Sequence, residues 1–320
     1  MTEKKTLDWS LGEAASFFQK EDRFTLLTHS SPDGDTLGSA FGLKGLLTAM
    51  NKQVAVLCGD ALPKKFSYLG RLDEAALEDS AIVALDIADV KLTSGLVREL
   101  AEKADLCLDH HPSNTRFAKA LCLDGTAAAT SELIADLARK LCISPDEKTA
   151  TALYTGLATD TGCFLYTNTT AKTLRTAADL VTAGADKDYV NRTMFETKTK
   201  SRLFMERRAL EEMRFFHDGK IAVTVLDYDT IHAPEGDESE LDGVAAIPRT
   251  VEGVLVGVTL KEKEKGIFKI SVRTFEPMDA ARICSAFEGG GHARAAGCTV
   301  TGEKEQVIAS LLAVIEKQFH

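Results

Sequence analysis

Asp109-His110-His111 closes an apolar run, and three more clusters of acids and imidazoles close similar runs. His29, Asp33 and Asp35 follow residues 24–28, Asp86 follows residues 81–85, and Asp160 follows the apolar-patterned stretch 150–158. Acids as close as Asp33 and Asp35 repel each other unless a cation lies between them. Mixed oxygen and nitrogen donors without thiolate suit Mn²⁺ or Mg²⁺ better than structural Zn²⁺. The four carboxylates of Asp33, Asp35, Asp86 and Asp160 offset about two divalent ions. A hydroxide and a phosphate ester bound there would add negative charge, so further cationic donors are needed. Arg273 lies in Ser271-Val272-Arg273-Thr274, and His292 and Arg294 follow Gly289, Gly290 and Gly291. Successive glycines let backbone N–H groups approach an anion closely. Taken singly, each of these residues reads as a cap, a turn or a tight loop. Four spaced clusters in one half of a chain read instead as a metal centre.

Such clusters need a sheet to gather them. Residues 25–28, 53–57, 81–85 and 105–108 are short, apolar and bounded by polar or turn residues, as strands are. Helices are expected between and after them, over 37–50, 131–141, 146–158 and 171–183. Asp35 or Thr36 is the expected N-cap of the first, and Gly184 the stop of the last. This alternation predicts an α/β fold with a parallel sheet and ligands at the carboxyl ends of its strands. Gly34 would let the backbone turn sharply between its flanking acids. Residues 198–216 are charged, amphipathic and free of Gly and Pro, which predicts a helix joining two domains. Beyond it, strands over 221–226, 253–260 and 267–275 and helices over 278–287 and 305–317 predict a smaller α+β domain. The last two strands flank a charged hairpin ending in Gly266. The boundaries expected are 1–195 for the metal-binding domain, 196–216 for the helical linker and 217–320 for the second domain.

With 320 residues, two domains are the natural division. The formal net charge of −10 argues against long duplex nucleic acid, whose binding needs a basic stripe. Apolar runs are too short to span a bilayer and no signal-peptide core follows Met1, so a cytoplasmic protein without membrane contact is expected. Seven scattered cysteines without a Cys-x-x-Cys pair read as buried free thiols. Asp89, Asp105 and Asp124 read as solvated or turn residues, and Glu132 as a first-turn helix residue.

His29-x-x-x-Asp33-x-Asp35, Asp86, Asp109-His110-His111 and Asp160 together resemble the motifs of the DHH phosphoesterase family. The Gly-rich run before His292 resembles the signature of its DHH-associated C-terminal domain. The likeness covers nearly the whole chain, and the length resembles the NrnA-type subgroup of nanoRNases and pAp phosphatases. The resemblance implies that His29 and Asp33 hold one metal, that Asp35, His110 and Asp160 hold a second, and that Asp86 bridges both. It implies that Asp109 orients the neighbouring imidazole, that His111 contacts the scissile phosphate, and that Arg273, His292, Arg294 and the Gly289–Gly291 backbone hold substrate phosphate. The implied cofactors are two divalent ions, Mn²⁺ ahead of Mg²⁺, in a cleft between the domains. Implied substrates are short oligoribonucleotides and 3′-phosphoadenosine 5′-phosphate (pAp), and a homodimer is compatible with the subgroup. Two readings compete: a phosphodiesterase for pApA or cyclic-di-AMP, and a non-catalytic nucleotide-binding protein. Ile87 after Asp86 and Glu288 before the three glycines depart from the family pattern.

Overall fold

Short aliphatic runs with β-branched residues build the first sheet, as their fit to a pleated, buried surface requires. In the computed structural model, which describes residues 6–319, the chain divides into units Met1–Thr197 and Lys198–His320. The first unit holds β1 (Leu7–Asp8), β2 (Arg23–Leu27), β3 (Gln53–Leu57), β4 (Ala81–Leu85), β5 (Leu106–Asp109) and β6 (Ala120–Leu123). All are parallel, in the order β1-β6-β5-β4-β2-β3. Neighbouring residues of β2 face opposite ways: Phe24 and Leu26 join the larger core, while Leu27 joins Ala84, Val97 and Ala101 on the other face. Both faces are therefore covered, as parallel sheets require. The strand order reverses between β2 and β4, the point where open α/β sheets bind ligands beyond their carboxyl ends.

Its helices are α1 (Leu11–Lys20), α2 (Gly34–Ala49), α3 (Gly95–Ala101), α4 (Thr130–Lys140), α5 (Glu147–Asp160), α6 (Ala171–Thr182) and α7 (Lys187–Asn191). The expected N-cap of α2 was two or three residues late: Asp33 caps it, accepting from the N–H groups of Asp35 (3.0 Å) and Thr36 (3.1 Å). An acid placed first, ahead of Gly34, wins the cap because its carboxylate reaches two orphan N–H groups. Gly34 is helical and makes no sharp turn. A Cβ there would lie 2.2 Å from Thr159 Oγ1, so glycine allows α2 to lie directly against the end of α5. Gly184 follows α6 at φ +97°, the left-handed stop its position suggested.

In the second unit, α8 (Lys200–Glu211) buries Met205 and Ala209 against Leu226, Ile231, Leu241 and Val244. The helix expected over 198–216 thus ends early, and 214–216 form a strand. The sheet comprises β7 (Arg214–Phe216), β8 (Ile221–Leu226), β9 (Val256–Glu264), β10 (Ile267–Thr274), β11 (Gly290–His292) and β12 (Ala295–Thr301), in the order β11-β12-β10-β9-β8-β7. Only the β8–β9 pairing is parallel, and β9 and β10 form the expected hairpin. Further helices are α9 (Tyr228–Ile231), α10 (Leu241–Val244), α11 (Ala280–Ser285) and α12 (Lys304–Glu316). The Gly-rich run, expected as a loop, is an edge strand: Gly290 pairs with Gly297, Gly291 with Ala296 and His292 with Ala295. Side chains as small as Ala295, Ala296 and Gly297 let a glycine strand lie flat on β12. Cys107, Cys122, Cys284 and Cys298 are buried as expected, whereas Cys142 is exposed. Among the described residues no helix is long and apolar enough to cross a membrane.

Candidate metal centre

Parallel strands that end level with each other deliver their following residues to one rim. His29 leaves β2, Asp86 leaves β4 and Asp109-His110-His111 closes β5, while Asp35 starts α2 and Asp160 ends α5. Ligand atoms of His29, Asp33 and Asp86 lie within 4.8 Å of one another, and so do those of Asp35, His110 and Asp160. The two sets meet at Asp86. Its Oδ2 is 3.9 Å from His29 Nε2, and its Oδ1 is 3.6 Å from His110 Nε2.

The imidazoles are oriented for coordination. His29 Nδ1 lies 2.8 Å from the Ser30 carbonyl and His110 Nδ1 lies 3.2 Å from the Ala127 carbonyl. A carbonyl only accepts, so each Nδ1 carries a proton, and in the neutral ring each Nε2 offers its lone pair. His110 Nε2 is buried without a hydrogen-bond partner, yet stands 3.6 Å from Asp160 Oδ2 and 3.9 Å from Asp35 Oδ2. Ligands about 2.1 Å from a common ion at octahedral angles lie about 3–4 Å apart. These spacings suit an ion between the atoms better than direct bonds.

The carboxylates are supported from behind. Asp35 is 1% exposed and accepts from the N–H groups of Thr130 (2.6 Å) and Ser131 (2.9 Å) and from Ser131 Oγ (2.6 Å). Thr130 Oγ1 donates to Asp86 Oδ1 at 2.9 Å. Buried Glu132 holds this loop by accepting from the Ala128 N–H at 2.8 Å. Asp109 Oδ1 accepts from the N–H groups of His110 (2.7 Å) and His111 (3.1 Å) and lies 2.8 Å from His111 Nδ1. Asn114 Nδ2 donates to Asp109 Oδ2 at 2.6 Å and to the Ile87 carbonyl at 3.1 Å, tying β5 to the residue after Asp86. Asp86 itself sits at φ +59°, a strained position for a non-glycine residue. Glu132 lies in the first turn of α4, as expected, but the support it gives with Thr130, Ser131 and the loop residue Asn114 was missed, because it runs through long-range contacts that no periodicity reports.

Too much negative charge is concentrated here for every acid to ionise. Burial, then the charges of Asp35, Asp33 and Asp109, push Asp86 well above the ordinary carboxylate range. Burial, then Asp35 and Asp33, push Asp160 up to about 8. Burial opposes ionisation of Asp33 too, but His29 outweighs it and holds that carboxyl low. Burial disfavours the imidazolium of His29, yet Asp33 lifts it above its usual value. The hydrogen bond to Asp109 is the main cause raising His111. A cluster with two proton-retaining acids and a partnerless imidazole nitrogen fits divalent cations.

The second unit carries the remaining candidates. Arg273 lies on β10, where Nη1 donates to the Val272 carbonyl at 3.1 Å. His292 is exposed on β11. Arg294 is held within its own unit, donating to the Met278 carbonyl (2.6 Å) and Glu276 (2.7 Å). Gly289 and Gly291 are demanded by packing, since a Cβ would come within 2.4 Å of Cys298 Cβ and 2.6 Å of the Ala295 carbonyl oxygen respectively. Gly290 faces open space, so packing alone does not require glycine there.

The chain matches the family model "DHH family, N-terminal domain" over residues 23–157 and the "DHHA1 domain" model over 218–320. It is 32% identical over 302 residues to the bifunctional oligoribonuclease and PAP phosphatase NrnA of Thermus thermophilus, covering 92% of this chain and 89% of that one. It is 24% identical to the Bacillus subtilis protein of the same name, covering 91% and 94%. An exopolyphosphatase-related protein from Bacteroides fragilis has a solved structure that superposes with a TM-score of 0.87. That match has 24% identity, covering 96% of this chain and 95% of that one.

Proposed function

This chain belongs to the DHH family of phosphoesterases, and we propose that it hydrolyses short oligoribonucleotides to mononucleotides and pAp to AMP with two divalent ions, Mn²⁺ before Mg²⁺. The observation that carries the reading is the double-sided placement of Asp86, one oxygen toward His29 and the other toward His110. His29 and Asp33 would hold one ion and Asp35, His110 and Asp160 the other, with Asp86 shared. Bound ions of this kind supply a nucleophilic water near neutral pH and neutralise phosphoryl oxygens.

The chain's own residues do the rest. Asp109 fixes the ring of His111 through Nδ1, leaving Nε2 for a phosphoryl oxygen. The raised basicity of His111 keeps that ring cationic closer to neutral pH, where it offsets charge growing on phosphorus. Arg273 and His292, with the Gly290 backbone, are the proposed phosphate contacts of the second unit. Arg294 already bonds Glu276 and Met278, and its proposed part is the weaker one. The net charge of −10 agrees with short substrates rather than long nucleic acid.

The test is AMP release from pApA and from pAp by metal-stripped protein, with and without Mn²⁺. Metal-dependent release from both is expected. Release from pApA with pAp left intact would shift the assignment to a dinucleotide phosphodiesterase. No metal-dependent release from either would refute the reading.

A further inference from the structure

The segment that follows Asp160 is an uncharged, exposed stretch of chain joined directly to the metal cluster. Residues 161–170, Thr-Gly-Cys-Phe-Leu-Tyr-Thr-Asn-Thr-Thr, contain no ionisable acid or base other than the Cys163 thiol and the Tyr166 phenol. Leu165 is 84% exposed, more than any other large apolar side chain among the described residues, and Tyr166 is 55% exposed.

This exposure is built into a pinned backbone. Gly162, Cys163 and Phe164 are successive left-handed residues, at φ +57°, +55° and +67°. For two non-glycine residues that conformation is costly and persists only where surrounding bonds impose it. The Cys163 N–H donates to the Ala158 carbonyl at 2.7 Å, and the Phe164 N–H donates to Thr161 Oγ1 at 3.1 Å. Phe164 turns inward onto the core, with its ring 6.0 Å from that of Tyr154. The Tyr166 ring lies over Gly162, where any Cβ would approach its atoms to 2.4 Å. Asn168 Nδ2 donates to the Asp160 carbonyl at 3.2 Å and to the Ala128 carbonyl at 3.1 Å, binding the segment to two parts of the cluster's own framework.

We infer that Leu165 and Tyr166 form the platform on which a nucleobase of the substrate rests while its phosphate occupies the metal centre. The inference depends on the phosphoesterase reading above. A phosphate or a second cation would find no charge here, whereas a base offers a flat apolar face and tolerates any sequence. A tyrosine ring backed on one side by glycine is held still, so little freedom is lost when a base covers the other side. The platform reads the presence of a base rather than its identity, because the segment's one side-chain amide, that of Asn168, spends its donor on the Asp160 and Ala128 carbonyls.

The test uses the full chain with Mn²⁺ and two substrates, pApA and the same dinucleotide backbone without its bases. Its readout is the ratio of kcat/KM for pApA over the abasic analogue. Leu165→Ser and Tyr166→Ala should each lower that ratio by roughly tenfold, mainly through KM, the size of a stacking contact. Tyr166→Phe, which keeps the ring, should preserve it and guards against a loop collapse in Tyr166→Ala. An unchanged ratio in Leu165→Ser would overturn the inference. So would a loss of self-association by that variant in size-exclusion chromatography at unchanged ratio, which would assign the patch to a second copy of the chain. Hydrolysis of neither substrate by the unaltered protein would remove the phosphoesterase reading itself, and this inference with it.

Discussion

Manganese affinity should rise steeply with pH, because the ion must displace protons that the empty cluster retains. Asp160 holds its proton up to about 8 in the metal-free cluster. A ligand protonated in that way weakens binding by a factor of one plus ten to the power of (pKa minus pH). For Asp160 the factor is about a hundred at pH 6 and about two at pH 8, so affinity should gain roughly fiftyfold between them. Asp86 is also raised, and the His29 imidazolium must lose its proton to coordinate, so the observed slope should be at least this steep. Titration calorimetry with Mn²⁺ at pH 6, 7 and 8, in two buffers of different ionisation enthalpy, measures both affinity and protons released. At least one proton per chain should appear at pH 7, and Asp160→Asn should flatten the slope. Affinity that stays level across this range would refute the reasoning, since it would mean that the acids are ionised without a cation between them.

Other outcomes follow from the same geometry. Asp86 and Asp160 bind protons more tightly folded than unfolded, so the metal-free chain should lose thermal stability as pH rises from about 4 toward 8. Saturating Mn²⁺ should remove that loss and, at a hundred times Kd, add about 2.7 kcal/mol, readable by scanning fluorimetry. Asp109→Asn should lower kcat by about 10–100-fold with a smaller change in KM, because the ring of His111 keeps only a neutral amide acceptor in place of the carboxylate that raises its basicity. Gly34→Ala should cost about 1–3 kcal/mol and weaken Mn²⁺ binding, since its methyl would drive α2 off Thr159. Gly290→Ala, facing open space, should leave the unfolding free energy within about 0.5 kcal/mol of the parent.

Strand ends were legible because short apolar runs between polar residues have few other uses. β3 and β4 fall on the residues expected, and the acids and imidazoles behind β2, β4 and β5 converge as their order along the chain implied. Edge elements were harder to see. β1 has two residues, too few for any strand signal, and its pairing is fixed by tertiary contact; β6 is an apolar run of four like β5 and was passed over. The Gly-rich run hid a strand because glycine carries no β preference. Its partner's small residues, Ala295, Ala296 and Gly297, were the signal available. The support behind the ligands was least legible. Asn114 matters through where β4 and β5 end relative to each other, and Glu132 through a turn folding back on it.

Diffraction from crystals grown with Mn²⁺, recorded at the manganese absorption edge, tests the central claim most directly. The account predicts two anomalous peaks per chain, one against His29 and Asp33 and one against Asp35, His110 and Asp160, with the Asp86 carboxylate between them. A single peak, or none at these side chains, would contradict it.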